Sequence, residues 1–94
     1  MQQNPYQADT DRFLRHRYPP AFPPAMSPRL SYAVDTRYFH DGNTHMLFYL
    51  WLIDGREFWF FPTVFTQATV RGYFWNGGVW ATVCVRQEMI RAFF

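Results

Sequence analysis

The sequence predicts an all-β fold: a five-stranded antiparallel meander rolled into a curved sheet or small open SH3-like barrel, with a Pro-rich N-terminal arm and a short C-terminal helical turn. Three observations predict it. The dipeptides Asp41-Gly42, Asp54-Gly55 and Asn76-Gly77 tolerate the positive φ that tight hairpin loops demand. The runs around them are dense in aromatic and β-branched residues, and aromatics make up 22% of the chain against 17% charged residues. At 94 residues with one cysteine, Cys84, the chain has no intrachain disulfide to supplement a small core, so packing, cover or oligomerisation must hold it.

Residues 1–30 read as an arm and residues 31–94 as the β-meander domain. In the arm, Thr10 is placed to cap a short helix through Tyr18, with Asp11 in its first turn and Arg15 and Arg17 in its last, as the helix dipole prefers. From Tyr18 to Pro28, closely spaced prolines forbid helix or ladder and favour an extended polyproline II segment in which Tyr18, Phe22 and Met26 recur as anchors. Arg12, Arg15, Arg17 and Arg29 oppose Asp9 and Asp11 there, a net +2. The remaining five arginines are matched by five carboxylates, so the whole excess charge lies in the arm.

Strands are predicted over residues 32–40, 45–53, 56–61, 67–75 and 79–85, with Pro62 ending the third. After Arg86, the positions of Val85, Met89, Ile90 and Phe93 fit one helical side and predict a closing helical turn. The longest apolar run, Met46 to Ile53, has eight residues, too few to span a bilayer as a helix, and reads as a strand covered on both faces.

Around Asn76-Gly77, a two-residue loop pairs Phe74 with Val79, Tyr73 with Trp80 and Arg71 with Thr82. One face is then Ala68, Val70, Phe74, Val79, Ala81, Val83 and Val85, a core face. The other holds Thr69, Arg71, Tyr73, Trp75, Trp80, Thr82 and Cys84. Inclusion of Gly78 in the loop slips the register and reassigns the faces. Around Asp41-Gly42, a two-residue loop sets Val34, Thr36 and Tyr38 against Leu47, Tyr49 and Trp51, whereas a three-residue loop sets them against Met46, Phe48 and Leu50. Either way both faces of the central strands are apolar.

A single small sheet has one core, so the second apolar face needs a cover: the arm, another copy of the chain, or a ligand. Bare, it costs about 25 cal/mol per Å². Polyproline segments dock on Tyr and Trp surfaces. The predicted interaction residues are therefore Arg71, Tyr73, Trp75 and Trp80 on the sheet and Tyr18, Phe22 and Met26 on the arm, and the expected partner is another copy, as a homo-oligomer or fibre, or a peptide.

No catalytic, cofactor or metal residue is assigned. His40-Asp41-Gly42-Asn43-Thr44-His45 brings two imidazoles and a carboxylate around one turn, short of a full structural shell, and Asp and Asn are there as turn formers. Asp54 and Glu57 read as turn former and strand end, Ser27 and Ser31 have no nearby base, and Cys84 among valines reads as a small packed hydrophobe. Exposed Tyr73, Trp75 and Trp80 beside Arg71 could stack unpaired bases. An electroneutral strand region lacks the basic groove that nucleic-acid binding uses, which disfavours that partner. Met1-Gln2-Gln3-Asn4-Pro5 has neither the basic start nor the apolar stretch of a secretory signal, so cytosolic synthesis is expected.

The segments Arg56-Glu57-Phe58-Trp59-Phe60-Phe61-Pro62-Thr63 and Gly72-Tyr73-Phe74-Trp75-Asn76-Gly77-Gly78-Val79-Trp80, behind the Pro- and aromatic-rich front, resemble small proteins of spore-forming Firmicutes across residues 38–94. The resemblance brings no activity and no site residue. It implies a setting in which self-associating surface or spore-layer proteins are plausible. Together these features lead to the expectation of a non-enzymatic structural or self-assembly module, with a monomeric SH3-like binding module for a peptide or single-stranded nucleic acid as the alternative.

Overall fold

In a computed structural model describing residues 14–94, five antiparallel strands form one open sheet. They are β1 (Phe48–Leu52), β2 (Glu57–Phe65), β3 (Thr69–Trp75), β4 (Trp80–Arg86) and β5 (Ile90–Phe93), in the order β4-β3-β2-β1-β5. The all-β expectation holds, and β1 to β4 run as a meander. The fifth strand is not residues 32–40, however, but the tail, which returns to pair with β1. A three-residue 3-10 turn, Gln87–Met89, joins one edge of the sheet to the other. Gln87 N–H donates to Ala68 O (2.8 Å) and Ile53 N–H to Met89 O (2.9 Å). So short a link between opposite edges requires a strongly curved sheet.

Residues 32–40 have strand-like composition but fold as turns. Asp35 accepts a bond from Arg37 N–H (2.9 Å) and caps a 3-10 turn over Thr36–Tyr38, leaving only an isolated bridge from Val34 to Phe93. Asp41-Gly42 makes no hairpin. It lies in a 3-10 turn, Asp41–Asn43, closed at its start by His40, whose Nδ1 accepts from Gly42 N–H (3.0 Å) while Asn43 Oδ1 accepts from His40 N–H (2.9 Å). Thr10 and the start of the helix predicted through Tyr18 lie outside the described residues, and residues 14–18 are not helical.

The other two turn dipeptides do close hairpins, with longer loops than expected. At Asp54-Gly55 the Leu52 N–H bonds to Arg56 O (2.8 Å), so residues 53–55 form a three-residue loop with Gly55 at φ 92°. At Asn76-Gly77 the loop has four residues, and Asn76 Oδ1 accepts from the N–H groups of Gly78 and Val79, both at 3.0 Å. Trp75 therefore pairs with Trp80 and Phe74 with Ala81, a slip of two residues from the predicted register. Because the pleat repeats every two residues, the predicted faces survive the slip. Val79 passes from the core face into the loop, where it is exposed.

Pro62 does not end a strand. It is fully buried within β2, at a register shift between Pro62 and Val64. The strand continues to Phe65 and turns through Thr66, whose Oγ1 accepts from Thr69 N–H (2.9 Å). On the inner face, Phe48, Leu50, Phe60, Val70, Val85 and Phe93 form the main core, closed by Phe39, whose ring lies 5.0 to 5.4 Å from those of Phe48, Phe65 and Phe93. Every residue of β1 is buried, so the central strand is covered on both sides. No helix among the described residues is long and apolar enough to cross a membrane.

Candidate arm-binding surface

Alternation along the strands collects the large aromatics on the outer face. Leu47, Tyr49, Trp51 and Trp59 form a second buried cluster, bordered by the partly buried Ala33, Trp75, Trp80, Ala92 and Phe94. The rings meet edge to face, the arrangement their quadrupoles favour: Tyr49 and Trp51 at 5.0 Å, Tyr49 and Trp59 at 5.1 Å, Trp75 and Trp80 at 5.3 Å. The Tyr49 hydroxyl donates to Glu57 Oε1 (2.9 Å), which supplies the polar tip with a partner. Asp54 instead binds Arg56 through Oδ2 (2.8 Å to Nε), so Asp54 and Glu57 have separate partners and do not act as a pair.

The arm crosses this face. At its start, His16 N–H donates to His45 O (2.9 Å) and Arg15 Nη2 to Gly42 O (2.8 Å). Further on, Trp80 Nε1 donates to the Pro20 carbonyl at 2.6 Å, and the Phe22 ring stands edge-on to Trp75 with centroids 6.2 Å apart. Pro28 is buried, and Tyr32 meets Phe94 at 6.1 Å. The indole N–H of a partly buried tryptophan needs a hydrogen-bond acceptor, and the Pro20 carbonyl supplies it.

The three predicted arm anchors are not what seats the arm. Tyr18, Phe22 and Met26 remain 66%, 75% and 58% exposed. The chain is not a uniform polyproline helix but bends at residues 17–18, 21–22 and 25–26, and each anchor sits in a bend. Between bends, Pro19, Pro23 and Pro24 are half-buried. Arg17 lies 5.6 Å from the Tyr18 ring centroid, giving that side chain a local partner instead of the sheet.

Of the predicted sheet residues, Trp75 and Trp80 meet the arm. Arg71 and Tyr73 lie along β3 opposite Cys84 and Thr82, and these four border an open depression of about 400 Å³. Cys84 is an exposed free thiol there rather than a packed hydrophobe, because its side chain shares the outer face of an edge strand. A second depression of about 400 Å³ lies where Pro28 and Leu30 meet Trp51, rimmed by Arg56, Glu57 and Arg91.

The sequence offered no signal for the backbone role of His45, which is the one described non-glycine residue at positive φ (62°). Its N–H donates to Pro62 O (2.7 Å), its carbonyl receives the arm, and its ring lies 5.9 Å from Phe61. His40 and His45 are thus a cap and a backbone junction. Among the described residues, no three His, Cys, Asp or Glu side chains are grouped to hold a metal ion. No family model, curated protein or solved structure matches this chain.

Proposed function

We propose that this chain is a non-enzymatic structural module that self-assembles, its aromatic sheet face covered by the Pro-rich arm of its own or a neighbouring copy, as suits a component of a spore or surface layer. The observation that carries this is the contact between Trp80 Nε1 and the Pro20 carbonyl at 2.6 Å, sixty residues apart in sequence. It ties the arm to the aromatic face by a directed bond. A neighbour's arm presents the same carbonyl, so exchange of arms between copies keeps every contact at no cost in chemistry. Sedimentation and electron microscopy of the full chain test it. Oligomers or fibres at micromolar concentration are expected, and a Trp75→Ser, Trp80→Ser variant should change their size distribution. A chain that stays monomeric refutes assembly.

A monomeric binding module for a peptide or single-stranded nucleic acid has its own support in the depression beside Arg71 and Tyr73, which no described residue of the arm lines. An arginine and a tyrosine on one face can stack against a base or a proline ring. Titration of the full chain with a Pro-rich peptide and with a single-stranded oligonucleotide, followed by tryptophan fluorescence, separates this function from assembly.

A further inference from the structure

β4 and β5 are the outer strands of the sheet. The β5 edge is occupied, since Val34 N–H donates to Phe93 O (2.6 Å) and Phe93 N–H to Val34 O (3.3 Å). No strand among the described residues pairs with the outer edge of β4.

Which backbone groups of β4 face outward follows from the two ends of its ladder. Asn76 N–H donates to Val79 O (3.2 Å) at one end, and Gln87 N–H to Ala68 O (2.8 Å) at the other. Bonded pairs recur at every second residue of an antiparallel ladder, and the register between these ends has no shift. Ala81, Val83 and Val85 therefore turn their N–H and C=O groups toward β3. Trp80, Thr82, Cys84 and Arg86 turn theirs away from the sheet. Edge strands are ordinarily blunted by proline, lysine or a bulge. The seven-residue β4, Trp-Ala-Thr-Val-Cys-Val-Arg, contains none of these.

We propose that β4 pairs antiparallel with β4 of a second copy of this chain about a twofold axis at Val83, so that one sheet continues through both copies. The proposal rests on the self-assembly reading and names its surface. Only this register pairs all four outward residues: Trp80 with Arg86 of the second copy, and Thr82 with its Cys84. An isologous interface needs such self-complementarity. The Trp80 and Arg86 pairs bring a guanidinium to an indole twice on the outer face. Val83 meets its own symmetry mate, and Ala81 meets Val85, on the inner face. The Arg86 side chain is mostly exposed, and reaching the indole requires it only to leave a surface ion pair with Glu88 (3.4 Å). A strand pair of this length places the dimer in the weak class of interfaces.

Two variants of the full chain test the pairing. Thr82→Pro removes an N–H that bonds to nothing within the sheet, so the fold is kept while two bonds of the dimer are lost. Sedimentation from about 1 μM to 1 mM should show dimerisation weakened by about tenfold or more. Thr82→Cys sets a second thiol opposite Cys84 of the second copy in a bonded pair, with Cα atoms about 5.5 Å apart, within disulfide reach. Mild oxidation should then give a covalent dimer about tenfold faster than in the wild type, with peptide mapping showing position 82 of one copy joined to Cys84 of the other. A folded Thr82→Pro variant that dimerises like the wild type overturns the pairing. So does a Thr82→Cys variant without accelerated cross-linking, which decides the matter if the proline variant fails to fold. A wild type that is monomeric throughout this range overturns self-assembly as well, whereas an oligomer indifferent to both variants overturns the β4 pairing alone.

Discussion

Pro62 and Gly72 face each other across β2 and β3, and each makes the other possible. Gly72 directs its backbone bonds toward β4, so its pairing with Pro62 is of the closer, non-hydrogen-bonded kind. Pro62 then turns its missing N–H toward β1, beyond Phe48, where the β1 ladder has ended, and no bond is lost. Its carbonyl accepts from His45 N–H (2.7 Å). A Cβ at position 72 collides with the Phe61 carbonyl and comes within 2.9 Å of Pro62 Cα, both backbone atoms that cannot step aside.

Gly72→Ala is accordingly expected to destabilise the fold by about 3 kcal/mol, as forced overpacking does at its upper range. Urea unfolding measures it. An effect below about 1 kcal/mol would mean that β2 and β3 separate at the bulge more easily than their pairing implies.

His45 gives a second test through its backbone. Asn and Gly accept the left-handed conformation that His45 holds at φ 62°, whereas β-branched residues resist it. His45→Asn should leave the melting temperature nearly unchanged, and His45→Ile should cost about 1–2 kcal/mol beyond the loss of the ring. Equal effects of the two would place the role of His45 in its ring contact with Phe61 instead.

What the sequence disclosed here follows the range of each interaction. The outer aromatic face was legible because pleat alternation depends only on parity, and parity survived a two-residue slip at Asn76-Gly77. Turn position was less so. Asp54 and Asn76 announce their hairpins, but Thr66 closes the β2–β3 connection with a hydroxyl and no glycine, a weaker signal. The segment from Met89 to Phe93 fits helix and strand periods equally over so few residues, and pairing with β1 decides it. Asp35 makes turns of a run that composition marks as a strand. Among the arm residues, the sequence drew attention to large side chains, while the directed bond comes from the Pro20 main chain, which has no compositional signature.

The Asp54 turn carries a pH dependence of known sign. Arg56 N–H donates to Asp54 Oδ1 (3.1 Å) and, with its guanidinium close by, holds the carboxyl below its ordinary value near 3.9. A depressed carboxyl pKa contributes stability that is present above the unfolded value and lost as pH falls through the folded one. The contribution is small because the ion pair lies at the surface, open to solvent screening. Stability of the wild type and of Asp54→Asn, which keeps a turn-forming acceptor, should therefore converge as the pH drops below about 4. An NMR titration placing Asp54 at or above the ordinary value would contradict this.

The bond from Trp80 to Pro20 ties arm docking to a single removable hydrogen. Trp80→Phe keeps an aromatic ring against Trp75 but cannot donate to the Pro20 carbonyl, which should weaken docking by about 1 kcal/mol, or roughly fivefold in the population of the undocked arm. Trypsin reads that population through cleavage after Arg17 and Arg29, so both cuts should accelerate by about that factor while cuts in the strands do not. Phe22→Ser removes a ring that is 75% exposed and touches Trp75 only at its edge, and its effect should be smaller than that of Trp80→Phe. Deleting residues 1–30 altogether should uncover the Trp75 and Trp80 pair and bring dye binding or precipitation. If Phe22→Ser proves the more damaging substitution, the arm is held by its aromatic anchors after all, and the proline carbonyl is incidental.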